Sequence, residues 1–420
     1  MKTKSLINFN EITRKDIPHY YDYAFAIDKA QQILKEKLGD ELSLYEAEED
    51  LTELEEAVST MLQQQDPAIQ TLGTVFDTVA VSTISFNDKE QYRIKPSLNN
   101  HIFYFPHYHV ASMKIPIFQS HMEYERSFVF ARSHEELLQF LEYITKQQRA
   151  YMQEDITVLT DTDEGLKRSK EKLTNQISRE SILLEEQVKT DIFRSIDEFF
   201  VKGGAFYKAY NIPYKRGILL YGSPGNGKTT LVKSIAGSVP APVVYWQITE
   251  YTSSYSISEV FSIATRMAPL VLIIEDIDSM PEEARSVFLN TLDGATSKEG
   301  IFLIGTTNYP EKIDPALINR AGRFDRAYEV KQPDESLRDT YLRSKGLDRF
   351  LEEPAISRLT KQTKGLSIAQ LNELYMSIAL KWHYEKQVDA EAIVKELQEN
   401  HRRTMKQDWE MEEYAGKLGF

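Results

Sequence analysis

The chain has 420 residues, of which 41% are hydrophobic and 27% charged, a formal net charge of −14 and no cysteine. Its length suits two or three packed domains. The absence of thiols excludes disulfides and thiolate metal sites, and the acidic balance speaks against general binding to a phosphate backbone. The N-terminal MKTKSLINFNEITRKD lacks the apolar core of a signal peptide. No segment approaches about 18 consecutive apolar residues, so no integral membrane segment is expected and the expected location is cytoplasmic.

In chain order, residues 17–65 read as helical. Leu44, Ala47, Leu51, Leu54, Val58 and Met61 recur by threes and fours and form a helix seam. The seam is under three heptads long, which suits a helix packed on its own domain rather than a coiled coil. The acidic stretch ELSLYEAEEDLTELEE (41–56) carries eight acids and no base. Residues 71–130 change to β-branched and aromatic runs, GTVFDTVAVSTISF and NNHIFYFPHYHV, which read as strands. Residues 134–190 turn helical and charged, with LTDTDEGLKRSKEK (159–172) as a hinge. From 216 the pattern alternates: GILLYG, PVVYWQI, VLIIE and IFLIGTT are strands, with helices at 228–237, 257–267 and 282–292 between them. That is the βαβ pattern of a parallel sheet covered by helices. After 333 the strands stop, and helices are expected at about 334–345, 354–363, 367–386 and 389–412.

The first alternating strand runs into GSPGNGKTT, which fits G-x-x-x-x-G-K-[ST] between a strand and a helix. Gly222, Ser223, Pro224, Gly225, Asn226, Gly227, Lys228, Thr229 and Thr230 are therefore the expected ATP-binding residues. Glycines let backbone N–H groups point at phosphate oxygens, and the following helix adds its positive end. Lys228 is expected to neutralise the β- and γ-phosphates, and the Thr229 hydroxyl to ligate Mg2+. The strand VLIIE ends in Glu275 and Asp276, with Asp278 two residues on. A carboxylate there would sit beside the phosphate loop, on the edge where parallel sheets bind ligands.

With these residues in place, the stretch from about 180 to 385 resembles the AAA ATPase family. GSPGNGKT resembles its Walker A loop and LIIEDID its Walker B strand. IGTTN puts Asn308 at the sensor-one position. DPALINRAGRFDR (314–326) resembles the second region of homology, with Arg320 and Arg323 at the arginine-finger positions. GLSIAQL (365–371) resembles the lid motif, without a sensor-two arginine. SILLEEQVKTDIFRSIDEFF followed by NIPYKRGILLYGSPGNGKTTL is similar to the subfamily of the mitochondrial chaperone that translocates the folded Rieske iron–sulfur protein. That subfamily also orders its Walker B acids Glu-Asp and carries a TTNY stretch, here Thr306–Tyr309. The first 180 residues do not share the likeness, so its client is not implied.

The resemblance implies an α/β fold: an AAA module with a parallel five-stranded sheet, flanking helices and a small helical lid, preceded by an α+β N-terminal domain. The expected domains are 1–150 (client-binding or regulatory), a helical linker at 151–180, the large ATPase subdomain at 181–332, the lid at 333–395 and a charged C-terminal helix or tail at 396–420. It also implies a homohexameric ring in which Arg320 and Arg323 complete a neighbour's site. Position by position, Glu275 falls on the metal side of the acidic pair and Asp276 at the water-activating position. Asp278 is expected to be structural.

The loop after the second strand, TEYTSSYSISEVF, lacks the aromatic-aliphatic-glycine triplet common in unfoldases. Tyr251 and Tyr255 either grip a client there or pack. His101, His107, His109 and His121 lie within 21 residues, and His107 and His109 would share one strand face. No zinc-ligand spacing accompanies them, and HIFYFPHYHV is expected in a core. The leading functional expectation is an ATP-driven protein-remodelling machine acting on protein clients, with no nucleic acid as partner. A nucleic-acid motor or loader, and an ATP-binding adaptor with little turnover, are the alternatives.

Overall fold

In a computed structural model, the structure describes residues 5–7, 23–39, 41–46, 52–86, 92–119, 122–172, 177–293, 299–318 and 323–399. The chain divides into two units, Met1–Tyr151 and Met152–Phe420.

The first unit is α+β. Its elements are β1 (Ser5–Ile7), α1 (Tyr23–Leu38), β2 (Ser43–Glu46), α2 (Thr52–Gln64), β3 (Gln70–Phe76), β4 (Ser82–Phe86), β5 (Tyr92–Pro96), β6 (His101–Phe105), β7 (Val110–Gln119), β8 (Met122–Ala131) and α3 (His134–Glu154). Six strands form one sheet in the order β1-β3-β6-β7-β8-β2, and β4 pairs only with β5. The sequence reading of 17–65 as one helical run is corrected here. Leu44 lies in β2, paired with Phe130 at a sheet edge, and is exposed. The seam begins with Leu54, Val58 and Met61, which are buried beneath α2. Ala47 and Leu51 lie outside the described residues. HIFYF is β6, buried along its whole length, as a central strand covered on both faces must be. The expected strand face shared by His107 and His109 is absent. Both sit in the tight turn joining β6 to β7, and His109 has a left-handed φ of 50°. His121 lies outside the described residues. Among those described, no group of three or more acids and histidines is arranged to hold a metal.

The second unit holds β9 (Asp155–Thr162), β10 (Gly165–Lys172), α4 (Glu186–Phe200), α5 (Ala205–Ala209), β11 (Lys215–Tyr221), α6 (Lys228–Ala236), β12 (Val243–Gln247), α7 (Ser254–Met267), β13 (Leu270–Glu275), α8 (Glu282–Asp293), β14 (Ile301–Thr307) and β15 (Arg326–Glu329). Its sheet runs β10-β9-β12-β13-β14-β11-β15. The five strands from β12 to β15 are parallel, as expected, and the sheet is two strands wider. The expected linker helix at 151–180 is instead the β9–β10 hairpin, with β9 parallel to β12. An edge strand can be protected by charge, and GLKRSKEK is such a strand, so its composition mimics a solvated helix.

Side chains alternate across β13. Leu270, Leu272 and Ile274 pack with Trp246, Phe261 and Phe288 on one face. Val271 and Ile273 pack with Ile196, Phe199 and Leu231 on the other. Both faces are covered, which is why VLII reads as an unbroken apolar run. Where the lid is expected, α9 (Glu335–Ser344), α10 (Glu353–Gln362), α11 (Ile368–Glu385) and α12 (390–399) pack around Leu342, Ile356, Leu374 and Ile378. The part of the expected last helix (389–412) beyond residue 399 lies outside the described residues. Among the described residues, no helix is long and apolar enough to cross a membrane.

Candidate functional site

Strand β11 feeds the loop 222–227, and α6 begins at Lys228. Two glycines there are required by geometry. Gly222 has φ 141°, and a Cβ on it would meet the Val330 carbonyl at 2.5 Å. Gly227 caps α6 in the left-handed region at φ 96°, where a side chain is strained. The Asn226 amide donates to the Ser223 carbonyl at 3.2 Å and closes the loop. Lys228 is buried, with its ammonium on the carbonyls of Gly222 (2.6 Å) and Ser223 (3.2 Å). Burial holds its pKa below the usual lysine value, opposed by the charges of Asp276 and Asp278.

The acidic strand is not the immediate neighbour of β11. Strand β14 lies between β11 and β13. That order carries the end of β14, with Thr306 and Asn308, between the phosphate loop and the acidic pair. Glu275 ends β13. Asp276 follows in the left-handed region, φ 53° and ψ 52°, which turns its carboxylate off the strand line. The Asp276 N–H donates to the Thr306 hydroxyl at 3.2 Å, and the Asn308 amide donates to Asp276 Oδ1 at 3.4 Å. The Thr307 hydroxyl donates to Asp278 Oδ1 at 2.6 Å, so Asp278 holds the end of β14. Glu275 Oε1 is buried and has no hydrogen-bond partner. Burial raises the Glu275 pKa, and neighbouring Asp276 adds to the rise. The Asp276 pKa is also raised, by burial and then Asp278, with Lys228 opposing. Two acids pushed toward the neutral form in one cleft suit a site completed by positive charge.

Lys228, Glu275, Asp276, Thr306 and Asn308 line a cleft of about 440 Å³ together with Pro224, Gly225, Gly227, Thr229, Thr230 and four residues of the expected lid, Tyr341, Ile368, Ala369 and Asn372; Gly222, Ser223 and Asn226 are not on its wall. The lid is tied to the phosphate loop, since the Ala369 N–H donates to the Gly225 carbonyl at 2.9 Å. The Tyr341 hydroxyl donates to Asn372 Oδ1 at 3.0 Å. The sequence reading held Ile368 and Ala369 only as part of the GLSIAQL motif, not as site residues, and missed Tyr341 and Asn372. Ile368 and Asn372 stand one helical turn apart just after the GLS signal, and that spacing is the clue that would have found them.

Residues 218–332 match the model of the ATPase family associated with various cellular activities (AAA). This stretch is an AAA ATPase domain. The chain is 30% identical over 215 residues to an ATP-dependent zinc metalloprotease FtsH of Aster yellows witches'-broom phytoplasma, covering 46% of this chain and 31% of that protein. It is 29% identical over 236 residues to the FtsH of Mycoplasma mobile, covering 51% and 33%. Against the FtsH of Staphylococcus haemolyticus it is 29% identical over 219 residues, covering 46% and 29%. The chain thus spans about a third of the length of the curated relatives it matches. The AAA domain implies ATP as the bound nucleotide. The cleft fits that ligand, with a cationic lysine, a glycine-shaped loop at a helix N-terminus and an unpartnered buried carboxylate oxygen on its far wall.

Arg323, at an expected finger position, turns inward in the AAA domain. It is 3% exposed, and its Nε donates to Asp293 Oδ1 at 2.6 Å. Its other nitrogens donate to Asp293 Oδ2 and the Ala316 carbonyl. Three of its five N–H donors are thus committed within its own chain. Arg320 lies outside the described residues. In the loop after β12, Tyr251 is 50% exposed and Tyr255, in the first turn of α7, is 73% exposed.

Proposed function

We propose that the protein is an ATP-driven protein-remodelling ATPase that hydrolyses ATP to ADP and phosphate and acts as a homohexameric ring on protein clients. The observation that carries the reading is the convergence of Lys228, Glu275, Asp276 and Asn308 on one cleft closed by a lid. Phosphoryl transfer asks chiefly for positioning and charge stabilisation, and these residues supply both. Backbone N–H groups of 222–228 and the Lys228 ammonium would hold the phosphates. The Thr229 hydroxyl and Glu275 would hold Mg2+, which when bound neutralises charge on the β- and γ-phosphates. Asp276 would hold the attacking water, with the Asn308 amide steering that carboxylate. The bond between Asn308 and Asp276 supports this division, as does the unpartnered Glu275 oxygen. Arg320 is the finger we assign in trans. Arg323 would serve a neighbour only after leaving Asp293.

The finer likeness is to the subfamily of the mitochondrial chaperone with a Glu-Asp pair, and the missing aromatic-aliphatic-glycine triplet after β12 favours clients handled folded or partly folded. The relatives' zinc peptidase function is not carried over. The sequence contains no His-Glu-x-x-His segment, and no metal-ligand cluster occurs among the described residues. The test is the ATPase rate alone, with an unfolded protein and with DNA or RNA. Stimulation by the protein supports the reading; stimulation by nucleic acid alone overturns it.

A further inference from the structure

The loop that follows β12 is built around an acid from the hairpin that the sequence reading placed in a linker. Strand β9 pairs with β12 in parallel up to Thr160↔Gln247. Asp161 therefore stands level with the start of the next loop. It is buried, 3% exposed, yet it is an acid. Its Oδ2 accepts from the Trp246 indole N–H at 3.0 Å and from the Thr252 hydroxyl at 2.6 Å. Its backbone carbonyl accepts from the Thr249 hydroxyl at 2.9 Å. The same two threonines close the loop on itself. The Thr249 N–H donates to Thr252 Oγ1 at 3.1 Å, the Thr252 N–H to the Thr249 carbonyl at 3.1 Å, and the Tyr251 N–H to Thr249 Oγ1 at 3.1 Å. Both threonine hydroxyls in this turn are thus committed to Asp161 or to the backbone beside Tyr251.

Burying a carboxylate for packing alone is unfavourable, because an apolar residue of the same size would avoid the desolvation. Here Oδ1 is buried with no hydrogen-bond partner, so the acid is not an internally satisfied structural pair. Its bonds run to the last strand residue but one, Trp246, and to Thr252, which closes the loop. Between these anchors the loop turns Tyr251 into solvent. Tyr255 follows just beyond, after the Ser253–Ser256 capping box starts α7.

We propose that Asp161 is a positioning residue for client engagement: it locks the 249–252 turn so that Tyr251 and Tyr255 are presented to a polypeptide client. The client part rests on the remodelling function above; the locking part does not. The hairpin, absent from the expected five-stranded sheet, then has a task, because β9 brings the anchor beside the loop. A client of this surface is a partly folded polypeptide with an open segment that offers apolar side chains to two tyrosine rings.

The experiment uses the full chain and two readouts. The first is the rate of chymotrypsin cleavage after Tyr251, which reports release of the turn. The second is the ratio of ATPase rates with and without reduced, carboxyamidomethylated lysozyme, a permanently unfolded basic protein. Asp161→Ala and Thr252→Val should each raise the cleavage rate at least about tenfold, as expected for losing the shared hydrogen bond to a charged group, and lower the stimulation ratio toward one; Asp161→Ala loses the Trp246 bond as well. Asp161→Asn and Thr252→Ser keep the acceptor and the donor, and should stay within about threefold of wild type in both readouts. The double variant Asp161→Ala/Thr252→Val should lose less than the sum of the two singles, since the bond between these residues is removed in both. Cleavage at the wild-type rate in both Asp161→Ala and Thr252→Val would overturn the lock, as would equal damage from the conservative variants. Should the unfolded protein fail to stimulate wild type, the remodelling function and the client part fail together, while the cleavage rates still decide the lock. Because Thr252→Val leaves the buried acid in place, it keeps the test decisive if Asp161→Ala does not fold.

Discussion

Replacing Arg323 with alanine separates the finger role expected from the sequence from the buried ion pair found in the structure. The guanidinium makes three hydrogen bonds, two of them a fork onto Asp293 and one to the Ala316 carbonyl, and it is almost wholly buried. Breaking a buried ion pair by removing one partner costs about 3–5 kcal/mol, because the other charge is stranded. Here Asp293 keeps 40% of its side-chain surface, so much of its charge returns to water, and the cost falls to about 2–3 kcal/mol. For a unit of this size, each kcal/mol shifts the melting temperature by about 2–4 °C, so Arg323→Ala should lower it by about 5–10 °C. Arg323→Lys keeps the charge but loses the fork, and should recover only part of the loss. Asp293→Ala leaves a buried guanidinium unpaired and should cost at least as much. The coupling energy from the double variant should be about 1.5–3 kcal/mol. Calorimetry of the nucleotide-free protein measures these values, and ATPase assays at permissive temperature run beside it. If Arg323→Ala melts within about 1 °C of wild type while hydrolysis collapses, the inward ion pair contributes nothing and the residue is a finger alone.

Lys228→Ala should abolish ATP binding, and fluorescent-nucleotide titration showing wild-type affinity would remove the phosphate-loop assignment. Asp276→Asn should keep ATP bound yet lower kcat by about 10²–10⁴, whereas Glu275→Gln should weaken the magnesium dependence of both binding and turnover. ATP affinity measured at several magnesium concentrations decides between them, and the opposite pattern reverses the two roles. Arg320→Ala should bind ATP and fail to hydrolyse it, and mixing it with Lys228→Ala subunits should restore some activity; exchange without recovery rules out a site completed in trans. Native Glu275 and Asp276 have pKa values above those of the unfolded chain. Between the two values only the native state holds the proton, so these groups lose stabilising effect as pH rises. The nucleotide-free double variant Glu275→Gln/Asp276→Asn should therefore gain melting temperature over wild type as pH rises from about 4 to 7, and a flat difference would contradict the shifts.

What the sequence determined by itself was the part whose physics is local. A phosphate loop needs glycines at positive φ, here Gly222, Gly225 and Gly227, a lysine and a helix start, so all its information lies in GSPGNGKTT. Parallel strands buried on both faces must be apolar throughout, so PVVYWQI, VLIIE and IFLIGTT were legible one by one. Tertiary structure alone decided what depends on neighbours distant in the chain. GLKRSKEK looks like a solvated helix because an edge strand and a solvated helix face are charged for the same reason, contact with water. Only pairing with β9, and of β9 with β12, shows which it is. Arg323 stands where a finger is expected, but its direction is set by Asp293, thirty residues earlier, whose position depends on where α8 packs. The placement of β14 between the phosphate loop and the acidic pair follows from strand order, which no single strand encodes. Asp161 reads as one of several acids in a polar stretch. It becomes an anchor only because the sheet brings it beside Trp246 and Thr252, 85 and 91 residues away in sequence.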